Sequence, residues 1–334
     1  MPLSRTSKFS SRLTAFQEIP VIDLSTARDD TILGHVVQQI ATACEDVGFF
    51  YVINHGVNPN LTSMMFQAAR ELFGLPSESK RRLNIANSGI TLRGYIPPYQ
   101  DSADPGDRRV FKEAFDYGVN SDDVMPFFGK NIMPTELPNF LETTETYHAV
   151  MRQFTDKLSG AIALSLDLPV DYFAYLQRNP ISIQRMLRYS PSKKQSNKSI
   201  IGSGAHTDFG FLTVIAQDEV GGIEVQNAQG QWVSAPPIDG SLLIGVGDLL
   251  QFMTNGRYSS TVHRVLNSSD QPRFSLQFFL DLDFHTIIES LPTCFSDDPE
   301  DNGTLLTCGQ YKYLRYLESQ RPLHPAAADL SPAS

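Results

Sequence analysis

The chain has 334 residues, of which 41% are hydrophobic and 19% charged, so its composition is that of a globular protein and not of a disordered or membrane protein. Its formal net charge of −10 argues against a nucleic-acid groove, because such grooves need clustered Lys and Arg to displace phosphate counterions. The 3 Cys make no paired disulfide framework, and no apolar run is long enough to cross a bilayer, so we expect a cytoplasmic protein.

The N-terminal part of the chain is predicted to be largely helical. We expect residues 1–17 to be a flexible terminus, although their Arg, Lys, Ser and Thr without any acid also fit a mitochondrial transit peptide. Residues 18–120 are predicted to join the core, with helical apolar spacing over 31–46 and 60–73 and a continuous apolar strand over 49–53. Residues 121–180 should give helical support, with the longest helix over 142–166.

The second half of the chain has the pattern of a β protein. Short apolar strands separated by Gly, Pro, Asn and Asp are predicted over residues 183–189, 212–217, 222–225, 242–246, 261–266 and 274–280. Repeated short strands of this kind indicate a sandwich or barrel. We therefore predict a mainly β fold with α additions. Its core should cover residues 181–290, followed by a C-terminal helical region over 291–322 and a disordered tail over 323–334.

Three residues of this β region have the composition of a metal site. His206 and Asp208 are two apart, and residues two apart on a strand point to the same side. Such a pair alone is more often a surface or hydrogen-bonded pair, but His263 lies in a second strand-like run and adds a third ligand. Two imidazoles and one carboxylate on one face are the ligands of non-haem Fe(II), and they leave the opposite positions free for substrate and oxygen. The sequence therefore predicts an iron site at these three residues.

A second pair of residues has the composition of a carboxylate site. Arg273 and Ser275 also lie two apart, at the start of the strand predicted over 274–280, and should project to one face. A guanidinium is the preferred planar partner of a carboxylate, and a hydroxyl can donate to the same oxygen. Together with the metal, this pair predicts a site that holds a small organic acid at both ends.

On these residues the chain resembles the 2-oxoglutarate and Fe(II)-dependent dioxygenase superfamily, in the branch that contains isopenicillin N synthase and the plant flavonoid and gibberellin oxygenases. The resemblance runs over nearly the whole chain, with matching segments IPVIDL at 19–24, GFFYVINHG at 48–56, KEAFD at 112–116, GAHTDFG at 204–210 and GDLLQ at 247–251. Residues 204–225 are most similar to ethylene-forming and fungal biosynthetic members. The resemblance implies a double-stranded β-helix, or jelly-roll, core flanked by N-terminal helices.

One position departs from the family pattern. Many plant members carry an Asn two residues before a Tyr on the strand that enters the core, and both touch the cosubstrate. Here Tyr189 matches the Tyr, which the resemblance places with the Arg-x-Ser pair at the far carboxylate of 2-oxoglutarate, but Leu187 stands at the Asn position. Arg185 shares a strand face with both and is the candidate replacement, whereas Arg188 should point away. The alternative is that Arg185 pairs with an acid at the edge of the core.

As the resemblance implies, we expect an enzyme that uses Fe(II), 2-oxoglutarate and O2. It would couple the oxidative decarboxylation of 2-oxoglutarate to succinate with hydroxylation, desaturation or cyclisation of a small secondary metabolite. An Fe(II) oxidase that needs no 2-oxoglutarate, like isopenicillin N synthase or aminocyclopropanecarboxylate oxidase, and an ethylene-forming enzyme remain alternatives. A non-catalytic receptor for a small acid is a further alternative, against which the intact metal triad argues. We expect a monomer or weak homo-oligomer without nucleic-acid or membrane partners.

Overall fold

The structure, a computed structural model, describes residues 12–26, 30–98, 112–191, 200–296 and 303–320. Residues 1–11 of the predicted flexible terminus and the whole predicted tail over 323–334 lie outside the described residues. Residues 12–17, which we expected to belong to that terminus, pack against the fold. The amide of Thr14 donates to the carbonyl of Asp46 at 2.9 Å, and Phe16 is buried.

The helices lie close to their predicted positions. The three long helices predicted from apolar spacing begin and end within two residues of their expected bounds, because a buried stripe at helical spacing is a strong signal. The helices are α1 Asp30–Asp46, α2 Pro59–Gly74, α3 Ser77–Arg82, α4 Phe140–Ser165, α5 Tyr172–Leu176, α6 Asp248–Met253 and α7 Cys308–Gln320. Within the described residues, no helix has both the length and the apolar character that crossing a membrane requires.

The strands include all those predicted and several that were missed. The strand expected to start at residue 261 starts two residues later, and the strands β6 and β9 had not been predicted as separate elements. The strands are β1 Val21–Asp23, β2 Phe49–Ile53, β3 Gly94–Ile96, β4 Lys112–Gly118, β5 Pro180–Tyr189, β6 Ile200–His206, β7 Leu212–Gln217, β8 Ile223–Gln226, β9 Trp232–Ala235, β10 Leu242–Val246, β11 His263–Asn267, β12 Arg273–Asp283, β13 Ile287–Glu289 and β14 Gly303–Thr307.

Two sheets form the body of the fold. The larger sheet has eight strands in the order β1-β2-β10-β7-β12-β5-β4-β3, and the smaller has four in the order β6-β11-β8-β9. Apart from the parallel pair β1–β2, the neighbouring strands of these sheets that the structure describes are antiparallel. The expected jelly-roll core with helical additions is therefore confirmed.

The larger sheet separates two hydrophobic cores. Along β2, Phe49 and Tyr51 belong to the core between the sheets, whereas Phe50 and Val52 belong to the core between the larger sheet and the helices. This alternation follows from the two-residue period of a strand, and it makes β2 apolar throughout. Each large apolar side chain buried in this way contributes about 1.5–3 kcal/mol to stability. The functional side chains described below lie between the two sheets, where the inner core gives way to polar residues.

Candidate functional site

The structure brings His206, Asp208 and His263 together at one end of the smaller sheet. His206 ends β6, His263 begins β11, and the two residues are directly paired in the antiparallel register. An Asp208 carboxylate oxygen lies 3.8 Å from Nε2 of each imidazole, and the three ligand atoms lie within 4.8 Å of one another. These residues could hold a metal ion. Asp208 lies beyond the end of β6, so our expectation that it shares a strand with His206 was wrong.

The two imidazoles are oriented by backbone carbonyls. Nδ1 of His206 contacts the carbonyl of Gly204 at 2.7 Å, and Nδ1 of His263 contacts the carbonyl of Thr261 at 3.2 Å. Because a carbonyl only accepts, each Nδ1 carries a proton, and each Nε2 presents a lone pair toward Asp208. This is the tautomer that metal binding through Nε2 requires. The His206 side chain is 40% exposed and that of His263 is 5% exposed, so access to the group is from the His206 side.

The charges of this group favour metal binding. Desolvation lowers the pKa of His206, and the neighbouring His263 lowers it further, so the neutral imidazole is the stable form near neutral pH. Desolvation opposes ionisation of Asp208, but the positive charge that His263 and His206 carry when protonated, a hydrogen bond with Thr213 and the charge of Arg185 together lower the pKa of this carboxyl. A neutral His206 nitrogen and the Asp208 carboxylate are therefore available together.

The loop that carries Asp208 is held by the turn that starts α6. The amides of Asp248 and Leu249 donate to the carbonyls of Asp208 and Gly210 at 2.8 and 3.1 Å. A Cβ on Gly247 would lie 2.0 Å from the carbonyl oxygen of Gly210, so this close approach requires glycine. The sequence showed the family resemblance of the GDLLQ segment but gave this segment no role. In the structure, the segment positions the loop that carries Asp208.

Arg273 and Ser275 lie on β12 and face the space between the sheets. Both are fully buried. Arg273 uses Nε to bind the carbonyl of Gly221, and its guanidinium carbon lies 4.8 Å from the centre of the Tyr189 ring. Tyr189 is the direct partner of Arg273 across the β5–β12 pair. The three residues that the sequence assigned to a far carboxylate thus lie together.

Two buried donors of this cluster have no partner at ordinary hydrogen-bond geometry among the described residues. They are Arg273 Nη1 and Ser275 Oγ, and the polar side chain that Ser275 and Arg273 approach is that of Tyr189, whose pKa they lower against the effect of burial. Buried polar groups in native proteins are nearly always paired, and a buried guanidinium without a carboxylate is costly. Among the described residues, Arg273 also forms no ion pair. A carboxylate bound here would accept from both donors, so the residues present fit one end of an organic acid.

Arg185 pairs with an acid, which was the alternative that the sequence left open for this residue. Its Nε and Nη2 donate to the two carboxylate oxygens of Asp116 on β4 at 2.7 and 2.6 Å, and its guanidinium lies over the ring of Phe279. Its role at the cosubstrate therefore stays a prediction, which this pairing does not favour. Arg188 points to the opposite face, as expected, and donates to Glu113 at 2.6 Å.

Sequence reasoning missed three residues near this site. Lys112 and Asp116 lie on β4 in register with Tyr189 and Arg185. Asp248 accepts a hydrogen bond from Thr207, in the loop that carries Asp208. The KEAFD segment had been noted for its resemblance, but its strand pairs with a partner about 70 residues away. The alternation of Lys112, Ala114 and Asp116 was the available signal, because it predicts that the two charged residues share a face.

Family descriptions match most of the chain. Residues 19–136 match the description "non-haem dioxygenase in morphine synthesis N-terminal". Residues 180–282 match "2OG-Fe(II) oxygenase superfamily" and include the metal group and the carboxylate cluster.

Known proteins resemble the chain over nearly its full length. Homoarginine-6-hydroxylase 2-ODD-C23.1 of Arabidopsis thaliana is 32% identical, and the match covers 92% of this chain and 97% of that protein. The 1-aminocyclopropane-1-carboxylate oxidase of Dictyostelium discoideum is 31% identical over 85% of this chain and 88% of its own. A full-length Neurospora crassa protein, solved in complex with alpha-KG, is 25% identical, with a TM-score of 0.83 and coverage of 92% of this chain and 99% of that one. The chain therefore belongs to the 2-oxoglutarate and Fe(II)-dependent oxygenase superfamily, and it is an oxidoreductase that uses Fe(II) and 2-oxoglutarate on a small-molecule substrate.

Proposed function

We propose that His206, Asp208 and His263 bind Fe(II), and that Arg273, Ser275 and Tyr189 bind the far carboxylate of 2-oxoglutarate. The metal assignment is supported by the three ligand atoms within 4.8 Å and by the Nδ1–carbonyl contacts that leave both Nε2 atoms free. The cosubstrate assignment is supported by two buried donors without partners in the described residues, Arg273 Nη1 and Ser275 Oγ. The second observation carries the proposal, because a metal triad alone does not specify an organic acid.

The protein side chains bind and orient the reactants. When bound, Fe(II) and 2-oxoglutarate supply the oxidising chemistry, in which one oxygen atom of O2 goes to succinate as CO2 leaves and the other goes to the substrate. Arg273 neutralises the far carboxylate and thereby fixes the direction in which the acid lies. Tyr189 packs its ring against that guanidinium and helps to hold it in place. The buried walls of the inner core exclude water from this end.

The proposal is tested by succinate release and by binding. Purified protein with Fe(II) should bind 2-oxoglutarate without oxygen and form succinate with oxygen. Asp208→Ala should lose metal binding, and Arg273→Gln should retain metal while its Kd for 2-oxoglutarate rises by about tenfold or more, because a charge-assisted bidentate contact is lost. Metal retention by Asp208→Ala would contradict the ligand assignment, and an unchanged Kd in Arg273→Gln would contradict the clamp.

The same experiment separates the alternatives. Oxygen consumption with a substrate but without 2-oxoglutarate would indicate an oxidase of the aminocyclopropanecarboxylate oxidase kind, and ethylene release from 2-oxoglutarate would indicate an ethylene-forming enzyme.

We further infer a cytoplasmic monomer or weak homo-oligomer that acts on a secondary metabolite, without nucleic-acid or membrane partners. The net charge of −10 supports the absence of nucleic-acid partners, and the three free cysteines among the described residues support a reducing compartment. Size-exclusion chromatography with light scattering tests the oligomeric state.

A further inference from the structure

Lys112 is a basic residue near the metal group that forms no ion pair with the described residues. Its Nζ donates to the hydroxyl of Ser203 at 3.1 Å. Desolvation lowers the pKa of Lys112 to about 8, and the nearby Arg185 acts in the same direction. An ammonium in such surroundings is unfavourable unless an anion compensates it.

The acids near Lys112 are already engaged. The carboxylates whose charges act on Lys112 are those of Asp116 and Asp208. Asp116 is bound on both oxygens by Arg185, at 2.7 and 2.6 Å, and Asp208 is the carboxylate of the proposed metal group. Among the described residues, neither acid is therefore free to pair with the ammonium, which is available for the anion of a bound ligand.

Arg185 presents a second donor to the same region. Because Nε and Nη2 are fixed by Asp116, the guanidinium has one defined orientation. Nη1 makes no hydrogen bond to the described residues, and the side chain is 30% exposed. Lys112 and Arg185 lie on adjacent strands and share a face with Ala114 and Leu187 between them.

The position of Arg185 distinguishes this anion from the far carboxylate of 2-oxoglutarate. Lys112 is in register with Tyr189 of the far-carboxylate clamp, whereas Arg185 lies four residues before Tyr189 on β5, so a group bound between Lys112 and Arg185 extends away from Arg273 and Ser275 on β12. The near carboxylate of 2-oxoglutarate would be neutralised by a metal held at His206, Asp208 and His263. Tyr316 on α7 lies on the same side of the sheet as Lys112 and Arg185. Its hydroxyl interacts electrostatically with Asp116 and Arg185.

We propose that the primary substrate is a small organic acid whose carboxylate is bound by Lys112 Nζ and Arg185 Nη1 beside the metal. This inference rests on the proposed function and names the substrate class of that site. The Arg185–Asp116 pair orients the guanidinium, and Lys112 supplies the uncompensated positive charge. The ring of Phe279, which the Arg185 guanidinium overlies at 5.5 Å, provides an apolar wall beside the carboxylate.

The test compares carboxylic acids with their amides, which have nearly the same shape but no charge. Benzoate, phenylacetate and hexanoate, and the three corresponding carboxamides, are titrated calorimetrically without oxygen into protein loaded with Fe(II) and 2-oxoglutarate. We expect the wild-type protein to bind at least one acid about tenfold or more tightly than its amide. Lys112→Gln should lose this preference, Lys112→Arg should retain most of it, and neither should change the Kd for 2-oxoglutarate more than about twofold.

The other outcomes would contradict either this inference or the proposed function. Acids that bind no better than amides, total absence of binding included, would overturn the inference, as would a preference that survives in Lys112→Gln. A raised Kd for 2-oxoglutarate in Lys112→Gln would assign the ammonium to the cosubstrate and also overturn it. Failure of the wild-type protein to bind 2-oxoglutarate, or an unchanged Kd in Arg273→Gln, would instead contradict the proposed function. Thermal unfolding of the variants checks that they remain folded.

Discussion

The backbone amide of Asp248 donates to the backbone carbonyl of Asp208 at 2.8 Å, so the turn before α6 is bonded directly to the residue that supplies the proposed carboxylate ligand. The Asp248 side chain extends this connection. Its carboxylate accepts from Thr207 in the same loop, from Ser260 ahead of β11, and from Arg315 on α7. The loop, the segment ahead of β11 and helix α7 are thus joined at one acid.

Asp248→Asn should weaken metal binding although Asp248 is not a proposed ligand. The amide has the same shape, but it loses the charge that holds Arg315 and can accept through one oxygen only. Residues that orient metal ligands typically change metal affinity by about 10–100-fold, and we expect the lower part of that range. Anaerobic titration with Fe(II) or Co(II) measures the effect. Asp239→Asn, at an exposed turn, is the control, and equal affinities in the two variants would contradict the positioning role.

Ser275→Ala should weaken the binding of 2-oxoglutarate without destabilising the ligand-free protein. The hydroxyl is buried without a partner in the described residues, so its removal should leave the free energy of unfolding of the ligand-free protein unchanged or slightly higher. The Kd for 2-oxoglutarate should rise by about tenfold, because a hydrogen bond to a charged group is lost. Chemical denaturation and calorimetry measure the two quantities. A variant that is destabilised and binds 2-oxoglutarate normally would show that Ser275 is structural.

Gly202→Ala should disturb the carboxylate clamp through Tyr189. A Cβ on Gly202 would lie 2.5 Å from Cδ1 of the Tyr189 ring, closer than real Cβ contacts allow, so the ring must move away from its place beside Arg273. We expect a higher Kd for 2-oxoglutarate with metal affinity retained. Gly204→Ala is a matched control two residues along β6, since a Cβ there meets nothing within 4 Å. An equal effect of both substitutions would exclude the steric explanation.

The sequence grouped His206, Asp208 and His263, and the structure brings these residues together, but the sequence did not show what holds their geometry. The residue types of His206, Asp208 and His263 follow from the ligands that Fe(II) prefers, which few side chains provide. The assumed strand under Asp208 is absent, because β6 ends at His206 and the loop is held by contacts with Gly247 and Asp248. Such contacts join segments about 40 residues apart, and no local pattern in the sequence encodes them.

The charged residues beside the metal group were harder to predict for the same reason. Arg185 could face the cosubstrate or an acid, and the choice depends on which strand adjoins β5. The structure places β4 there and sets Asp116 opposite Arg185. The partner is 69 residues away in the chain, so strand pairing had to be known before the ion pair could be assigned. Helices, in contrast, depend on local spacing, and their bounds were predicted closely.

His148 should make the stability of the protein depend on pH below neutrality. Burial lowers its pKa to about 4, from an ordinary value of 6.5. As pH falls through 6.5, the unfolded chain takes up a proton that the folded protein does not, so the folded state loses stability until about pH 4, by about 1.4 kcal/mol per pH unit at most. Above pH 6.5 this contribution is absent. Urea denaturation at pH 7, 6 and 5 should therefore show a smaller decrease in the free energy of unfolding for His148→Gln than for the wild-type protein. Parallel curves for His148→Gln and the wild-type protein would mean that His148 is not held neutral by the fold.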